Sequence, residues 1–234
     1  MARLQKFPTL SIIIPTLNES RHLPLLLADL NEWPYDFELT IVDGGSIDLT
    51  ISIAEIQGVD VIKSNKKNRG YQLKTGAYNS KGEWLLFLHA DSRLSPSWAK
   101  KLYKIIKNKK SKNFAWYFDF KIKKANLEFR ILEIAVAIRS YFLQRPYGDQ
   151  GLLIHRDLYY NSGGFSSLKI MEDLDFITRI TKITKVKRIR GSIFTDDIKW
   201  SNSNIIKRAI KNYILRKKWR NGYNIDKISK EYNT

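Results

Sequence analysis

The segment Leu10–Pro15 is a continuous apolar run that ends at a proline, and it constrains the fold more than any other feature of the sequence. A run without polar alternation is typical of a strand that is buried on both faces. Helix-forming segments and further apolar runs alternate after it through the first half of the chain. Because strands separated by helices pair in parallel through right-handed crossovers, this order predicts an α/β fold with a mostly parallel central sheet flanked by helices.

The second half of the chain changes character, although its sequence has no internal repeat, no low-complexity linker and no second core with its own boundary. Phe114–Ile122 alternates partly between apolar and polar residues, which predicts an antiparallel or edge strand. The predicted strands are Leu10–Pro15, Phe37–Val42, Val59–Lys63, Trp84–Leu88, Phe114–Ile122, one that Gly148–Ile154 leads into, and two short ones in Val186–Thr195 divided at Gly191. The predicted helices are Asn18–Glu32, Asp48–Gln57, Arg69–Ser80, one opened by Ser95-Pro96, Asn126–Leu143, Asp173–Ile183 and Asn204–Arg220.

Three acidic motifs stand where predicted strands end or where a predicted helix begins. Asp43 and Asp91 each follow an apolar run, and Glu172-Asp173 opens a helix. A carboxylate at the carboxyl end of a buried strand points into the crevice where open α/β sheets bind ligands. In a chain with a formal net charge of +18, carboxylates placed in this way favour a site over surface filler. The motifs therefore predict an enzyme that acts on a phosphorylated ligand.

The loop Pro15-Thr16-Leu17-Asn18-Glu19 connects the first strand to its helix, and backbone amides there can receive a phosphate or hydrogen-bond a base. The neighbouring Asp43 can accept hydrogen bonds from a base or a ribose, and the glycines after it let a ligand approach the backbone. A tight turn is the alternative for Asp43-Gly44, since Asp-Gly is a common turn pair. The loop has no glycine, which disfavours the Gly-x-Gly-x-x-Gly dinucleotide turn.

Five further residues carry candidate chemistry. The carboxylate of Asp91 can hold Mg²⁺ or Mn²⁺ together with phosphate oxygens and water. His89 fits either a second ligand, which would favour Mn²⁺, or a packing role. Glu172-Asp173 fits either a helix cap or a general base that takes a proton from a hydroxyl. Arg69, on the same predicted helix as Gln72, fits a bidentate diphosphate contact or a solvated cation.

Composition narrows the class of protein. The chain has no cysteine, which excludes disulfides, cysteine zinc sites and a cysteine nucleophile, and fits a reducing compartment. The excess of Lys and Arg predicts an anionic partner: a phosphorylated substrate, a lipid surface or nucleic acid. The longest apolar stretch, Ile131–Leu143, is interrupted by Glu133 and Arg139 and is too short to span a bilayer. With no signal peptide visible, we expect a cytoplasmic protein, either free or peripheral on the inner face of the membrane.

Taken together, these segments resemble family 2 glycosyltransferases of the GT-A fold, the nucleotide-diphospho-sugar transferase fold. The matching segments follow the family's order over roughly the first 180 residues, namely Ser11–Glu19, Ile41–Asp48, Arg69–Ala77, Gly82–Asp91 and Glu172-Asp173. A closer resemblance is to a bacterial subgroup of glycosyltransferases associated with radical-SAM proteins or arsenosugar biosynthesis. That resemblance is carried by Phe87–Asp91, Gly148–Gly151, Met171–Asp173 and the basic tail Trp200–Trp219.

The resemblance implies a metal-assisted inverting enzyme that transfers one sugar from a UDP- or GDP-linked donor to a hydroxyl acceptor. Asp43 would bind the nucleoside, Asp91 would bind Mn²⁺ or Mg²⁺ with the donor diphosphate, and Asp173, beside Glu172, would be the catalytic base. The donor residues expected in full are Pro15, Thr16, Asn18, Glu19, Asp43, Gly44, Arg69, Gly70, Gln72 and Asp91. The residues expected near the acceptor are Gly148, Asp149 and Gln150.

The chain departs from the family pattern at two places. The family usually has Asp where His89 stands, and the tail lacks the Gln-x-x-Arg-Trp motif of processive synthases, which favours a single transfer. In the closer subgroup arginines precede the tail tryptophan, whereas Trp200 follows Asp196-Asp197 and Lys199 here. The expected layout is a GT-A domain at residues 1–198 and a basic amphipathic helical extension at 199–234, packed on or beside it.

The helices Asn126–Leu143 and Asn204–Arg220 have three interpretations: contact with an anionic membrane, packing on the core, or a homodimer interface. For the first helix we expect packing. Two rival functions also remain. A nucleotidyltransferase on a related sheet would release pyrophosphate rather than a nucleoside diphosphate. A basic nucleic-acid-binding module would lose affinity steeply with salt; we expect no nucleic-acid partner, because the basic clusters lie outside the acidic motifs.

Overall fold

The structure is a computed structural model of the 234-residue chain, and it describes residues 10–124, 126–195 and 205–233. Its strands are β1 Leu10–Thr16, β2 Glu38–Asp43, β3 Asp60–Lys63, β4 Trp84–Phe87, β5 Arg93–Leu94, β6 Ala115–Ile122, β7 Leu152–His155 and β8 Val186–Thr195. Its α-helices are α1 Leu23–Leu30, α2 Thr50–Ile56, α3 Arg69–Asn79, α4 Trp98–Lys107, α5 Leu127–Phe142, α6 Arg156–Asn161, α7 Glu172–Ile183, α8 Ile205–Arg220 and α9 Ile225–Asn233. Two short 3₁₀ helices cover Lys109–Asn113 and Gly148–Gln150.

The strands form one eight-stranded sheet in the order β3-β2-β1-β4-β7-β6-β8-β5. The pairs among β3, β2, β1 and β4 are all parallel, as the strand–helix alternation predicts. Beyond β4 the sheet is mixed, because β7 runs antiparallel to both β4 and β6, while β6 and β8 are parallel. The prediction of a mostly parallel sheet therefore describes the first half of the chain. Strand β6 is antiparallel to one neighbour, but it lies inside the sheet and not at its edge.

Alternate residues of β1 build two different cores. Ile12 and Ile14 pack with α1 and α4 on one face of the sheet, whereas Ile13 packs with α3 and α7 on the other. A strand with helices on both faces buries side chains on both, which explains why three isoleucines follow one another in β1. The polar residue before them, Ser11, is also buried and donates its hydroxyl to Glu38 Oε2 at 2.6 Å. Strand β1 leads to the candidate site described below, because its last residues, Pro15 and Thr16, reach the carboxyl edge of the sheet.

Several element boundaries differ from the sequence-based expectation. Helix α1 begins at Leu23 and not at Asn18, because Asn18 lies at φ +55°, in the left-handed region that a right-handed helix excludes. Side chains that follow β2 hold this loop through its backbone amides: Asn18 N donates to Ser46 Oγ at 2.8 Å, Glu19 N to Thr50 Oγ1 at 2.8 Å and Ser20 N to Asp48 Oδ2 at 3.1 Å. Strand β8 is one strand and not two; Arg190, at φ +59°, sits in a bulge that shifts its register against β6 without ending the pairing. The sequence reading missed β5, α6 and α9.

The two helices for which the sequence leaves three interpretations, now α5 and α8, pack on different parts of the fold. Helix α5 packs on β6 through Phe129 and Val136, as expected, but this uses only one of its faces. Leu215 of α8 and Ile228 of α9 are buried against Met171 and Leu174 at the start of α7. The C-terminal helices therefore cover the region that holds the third acidic motif. None of the described helices is long and apolar enough to cross a bilayer.

Candidate active site

A cleft of about 1010 Å³ lies at the carboxyl ends of β1 and β4. Its floor is formed by the end of β1, the start of α3, the loop after β4 and the start of α7. Helices α8 and α9 add a wall through Asn212, Arg216, Ser229 and Tyr232. Among the sequence-predicted residues, those that line this cleft are Pro15, Thr16, Glu19, Arg69, Gln72, Asp91, Asp149, Glu172 and Asp173. The others lie behind the lining, where they shape it.

Asp43 is buried, with 1% of its surface exposed, and its carboxylate closes its own turn. Oδ1 accepts from the amides of Gly45 and Ser46 at 2.8 Å, and Oδ2 accepts from the hydroxyls of Thr16 at 2.9 Å and Ser46 at 2.5 Å. Burial by itself would raise the pKa of Asp43, but these hydrogen bonds hold it below its usual value. The turn interpretation thus accounts for every described bond of the carboxylate, and nucleoside binding by Asp43 stays a prediction.

Gln72 joins the ends of the two central strands. Its Nε2 donates to Thr16 O at 2.9 Å and to Val42 O at 2.7 Å, so the loop that follows β1 and the turn at Asp43 are held beside each other. A Cβ on Gly44 would lie 3.1 Å from that nitrogen and 3.3 Å from Thr16 O, which leaves little room for a side chain. Asn18 fixes the same loops from outside, since its Oδ1 accepts from Ile47 N at 2.9 Å.

The carboxylate of Asp173 is held by two backbone amides. Its Oδ2 accepts from Gly148 N at 2.9 Å and its Oδ1 from Leu174 N at 2.7 Å. Burial would raise the pKa of Asp173, but the nearby Arg69 guanidinium, the two amides and His89 together lower it. Asp173 is therefore ionised at neutral pH, as a proton acceptor must be, and its orientation is fixed by backbone groups.

Glu172 has a different environment from its neighbour. It is 1% exposed and pairs with Arg69, whose side chain is 42% exposed at the cleft. Its Oε2 is buried and has no hydrogen-bond partner among the described residues. Burial raises the pKa of Glu172, and the adjacent Asp173 adds to this, although Arg69 opposes it. The geometry therefore makes Glu172 the anchor of Arg69 and leaves Asp173 as the better base.

Glycines allow the close approach of the elements around these carboxylates. A Cβ on Gly70 would lie 2.2 Å from Ser166 O and 2.9 Å from Glu172 Cβ, so α3 meets α7 only because this position has no side chain. A Cβ on Gly148 would lie 2.6 Å from His89 Nε2 and 3.4 Å from Asp173 Oδ2. The absence of both side chains brings Arg69, His89 and Asp173 together.

The predicted acceptor segment divides into a lining residue and a support. Gln150 is buried: its Oε1 accepts from Ser140 Oγ at 2.7 Å and from Arg139 Nη2 at 2.9 Å, so it anchors the segment to α5. Asp149 lines the cleft, and its Oδ1 is buried without a hydrogen-bond partner among the described residues. Burial raises the pKa of Asp149, while Arg139 and Arg216 lower it.

A divalent cation would find an incomplete site on this protein alone. Asp91 and His89 both line the cleft, but the described residues hold no group of three or more His, Cys, Asp or Glu side chains that could bind a metal. Strand β4 ends at Phe87, so His89 and Asp91 both lie in the loop that follows it. A single hard carboxylate beside an imidazole fits a cation whose remaining ligands come from a bound diphosphate and water.

The sequence reading missed most of the positive charge that lines the cleft. Lys66 and Lys67 precede α3, Lys169 precedes α7, and Arg216 comes from α8. Arg216 lies 4.8 Å from the centre of the Tyr147 ring, whose centre is also 3.8 Å from the Arg139 guanidinium. Lysine-rich loops give no signal of their own, and the basic tail indicated charge but not where it would fold. The expected residues around the tail tryptophan, Asp196, Asp197, Lys199 and Trp200, lie outside the described residues.

A small apolar cavity of about 30 Å³ adjoins the cleft directly beneath Asp173. Its lining is almost entirely apolar and includes Phe87, Pro146, Phe165 and Ile177. His89, Glu172 and Asp173 line both the cleft and this cavity. The cavity has room for only about one or two waters, so it is a packing gap beside the carboxylates.

The comparisons with known proteins agree with this geometry. An uncharacterized glycosyltransferase of Haemophilus influenzae is 28% identical over 181 residues, which is 73% of this chain and 61% of that protein. S. aureus TarS 1-349 in complex with UDP-GlcNAc matches with a TM-score of 0.59 and 17% identity, over 80% of this chain and 58% of TarS. The mannosyltransferase PcManGT from Pyrobaculum calidifontis, in complex with GDP-Man and Mn²⁺, gives a TM-score of 0.60 and 18% identity, over 80% of this chain and 57% of PcManGT.

These structural matches show that the fold is GT-A, with the mixed sheet described above, and so confirm the predicted fold class. This chain spans 61% of the length of the Haemophilus relative. The sequence profile of Glycosyl transferase family 2 matches residues 11–169, which is more than half of the chain and includes the cleft residues from Pro15 to Asp149. The chain belongs to glycosyl transferase family 2.

Proposed function

We propose that this transferase is an inverting enzyme that moves one sugar from a UDP- or GDP-linked donor to a hydroxyl acceptor, with Asp173 as the base. The observation that carries the proposal is a carboxylate that two backbone amides orient in a cleft lined by basic side chains. The TarS and PcManGT structures contain UDP-GlcNAc and GDP-Man, which supports a nucleotide sugar as donor. We also propose the radical-SAM or arsenosugar-associated subgroup and a single transfer, on the sequence motifs alone.

The donor diphosphate is proposed to bind among Lys66, Lys67, Arg69 and Arg216, which line the cleft around Asp91. Basic side chains fixed in a cleft stabilise a diphosphate most strongly when its negative charge increases. That increase occurs when the diphosphate leaves the sugar. A divalent cation held by Asp91, with His89 beside it, would supply further positive charge to the leaving diphosphate. Asp43 and Gly44 are proposed to hold the nucleoside through the turn that they form with Thr16.

The proposed reaction is a single in-line displacement. Asp173 takes the proton of the acceptor hydroxyl, whose oxygen forms a bond to the anomeric carbon. The bond from that carbon to the diphosphate oxygen breaks on the opposite face, so the nucleoside diphosphate leaves with the electron pair and the configuration inverts. The hydrogen bonds from Gly148 and Leu174 fix the carboxylate, which lowers the entropic cost of reaching this geometry.

Donor binding can be tested without knowing the acceptor. We expect UDP or GDP, at about 100 times the dissociation constant and with Mn²⁺ or Mg²⁺, to stabilise the fold by about 2.7 kcal/mol, a rise of several degrees in Tm. The measurement is thermal unfolding with UDP, GDP and TDP, with each cation and with EDTA. Nucleoside monophosphates should shift Tm less, because the basic side chains meet fewer charges.

Two exposed lysines give a matched pair of variants for this experiment. Lys67 lines the cleft, whereas Lys74 lies on the outer surface of α3 and does not line it. Lys67→Ala should reduce the nucleotide-dependent shift in Tm, and Lys74→Ala should leave it unchanged. If no nucleoside diphosphate stabilises the protein under any of these conditions, the proposed donor site is wrong.

A further inference from the structure

Helix α5 carries an apolar stripe that the fold leaves uncovered. Its members recur every three or four residues along four turns, and each is between 53% and 76% exposed. They are Leu127, Ile131, Ile134, Ile138, Tyr141 and Phe142. Side chains with this spacing share one face of a helix, so the exposed apolar area is continuous. A contiguous patch of this kind on a basic protein points to an interaction surface rather than to scattered surface residues.

The opposite face of α5 makes the contacts that attach the helix to the sheet. Phe129 and Val136 pack on Phe120 and Ile122 of β6. Glu133 is buried on this inner side, where its carboxylate accepts from Lys121 Nζ at 2.8 Å and from Arg130 Nη1 at 2.6 Å. Of the two acidic residues in α5, one is therefore neutralised inside, and the other, Glu128, lies in the first turn at the margin of the stripe.

Exposed cations lie at both ends of the stripe. Lys123 and Lys124 come directly before the helix. At the other end, Gln144 Oε1 accepts from Val186 N at 2.8 Å, which brings Lys185 beside the end of the helix. A helix that lies flat in a lipid interface has an apolar face, which enters the bilayer, and nearby basic side chains, which contact anionic headgroups. The α5 stripe and these three lysines supply both parts.

We infer that the α5 stripe docks this enzyme on the surface of an anionic lipid bilayer. The formal net charge of +18 argues against a second copy as the occupant, because two such chains repel each other, and it favours an anionic surface. The stripe inserts between headgroups while the terminal lysines contact lipid phosphates. The helix stays in the plane of the interface and does not cross the bilayer.

One consequence of this docking rests on the proposed function. The chain that leaves α5 reaches Tyr147 and Gly148 within a few residues, and Gly148 donates to the proposed base, Asp173. The apolar cavity beneath Asp173 includes Pro146 and Tyr147 of this connection. A membrane-bound enzyme would thus present its base close to the lipid surface, and the acceptor class this suits is a hydroxyl on a lipid-linked molecule.

Co-sedimentation with vesicles tests the docking and needs no activity. The full chain should bind vesicles of phosphatidylcholine mixed with phosphatidylglycerol more strongly than vesicles of phosphatidylcholine alone, and more strongly at low salt. The double variant Ile134→Glu/Ile138→Glu should weaken this binding by about tenfold or more, since two exposed apolar side chains leave the lipid. The control Ile56→Glu/Tyr78→Glu replaces residues that are 81% and 80% exposed on α2 and α3, and it should bind as the wild type does.

Two results would overturn the inference. One is wild-type protein that does not bind anionic vesicles at low salt, or an α5 variant that binds as well as the control. The other is a dimer in gel filtration that only the α5 variant abolishes, since a second copy would then cover the stripe. The nucleotide-dependent rise in Tm should be the same in the α5 variant and the wild type, so a failure of docking is distinguishable from a failure of the donor site.

Discussion

Asp173→Asn is expected to lower the rate of sugar transfer by roughly 10²–10⁴-fold, the usual contribution of a positioned general base. The amide can still accept from Gly148 N through its oxygen, so the local fold should persist, but it cannot take a proton from a hydroxyl. Donor binding should change little, because the proposed diphosphate contacts come from other side chains. The measurement is a single-turnover rate beside the nucleotide-dependent shift in Tm.

Asp175→Asn is the matched control for this variant. Asp175 lies on the same helix, but its carboxylate accepts from Ser166 Oγ at 2.7 Å and pairs with Arg179, and it does not line the cleft. Its replacement should alter stability more than rate. A normal rate of transfer in Asp173→Asn would remove Asp173 from the role of base.

Replacing Arg69 with methionine should move the pH dependence of the reaction. The positive charge of Arg69 is one of the groups that lower the pKa of Asp173, so its loss raises that pKa. A base is active above its own pKa, so transfer falls as pH decreases through that value. In Arg69→Met this fall should occur at a higher pH than in the wild type, and a profile of kcat against pH measures it.

Arg69→Met should also destabilise the fold, because it leaves Glu172 buried without its cation. We expect a loss of about 1–3 kcal/mol, less than for a fully buried pair, since Arg69 is 42% exposed. The double variant Arg69→Met/Glu172→Gln should recover much of the stability, while its fall in kcat at low pH should still occur at a higher pH than in the wild type. Arg69→Lys, which retains the charge, should move that fall back toward the pH at which it occurs in the wild type. A wild-type profile in Arg69→Met would show that Arg69 does not tune Asp173.

The local parts of this fold could be predicted because they depend on neighbouring residues. The apolar run at β1 requires helices on both faces, and the order of strands and helices requires parallel pairing as far as β4. The position of β7 between β4 and β6 has no such local signal. The late start of α1 also escaped prediction, since the loop before it is held by Ser46 and Thr50, which lie 28 and 31 residues after the amides that they bind.

The candidate site was likewise predicted in part from local sequence and missed where distant segments meet. Motifs at strand and helix ends predicted that Asp91 and Asp173 would share a cleft, and both line it. They left open whether the carboxylate of Asp43 would close a tight turn or bind a ligand, because both roles use the same residue types. They also missed Arg216 and Tyr232, which reach the cleft only because Leu215 and Ile228 pack on α7. Contacts between segments far apart in sequence were the part that pattern reading could not supply.

The central claim is most directly tested by identifying the nucleotide that the enzyme releases. The enzyme is incubated in one set with UDP- and GDP-linked sugars, where slow transfer to water suffices when the acceptor is unknown. In a second set it is incubated with UTP or GTP and a sugar 1-phosphate, the substrates from which a nucleotidyltransferase would release pyrophosphate, and ion-exchange chromatography identifies the products of both sets. Our account predicts UDP or GDP in the first set, in amounts that fall sharply in Asp173→Asn and not in Asp175→Asn, and no pyrophosphate in the second. Release of pyrophosphate in the second set, or equal release of nucleoside diphosphate by both variants in the first, would contradict it.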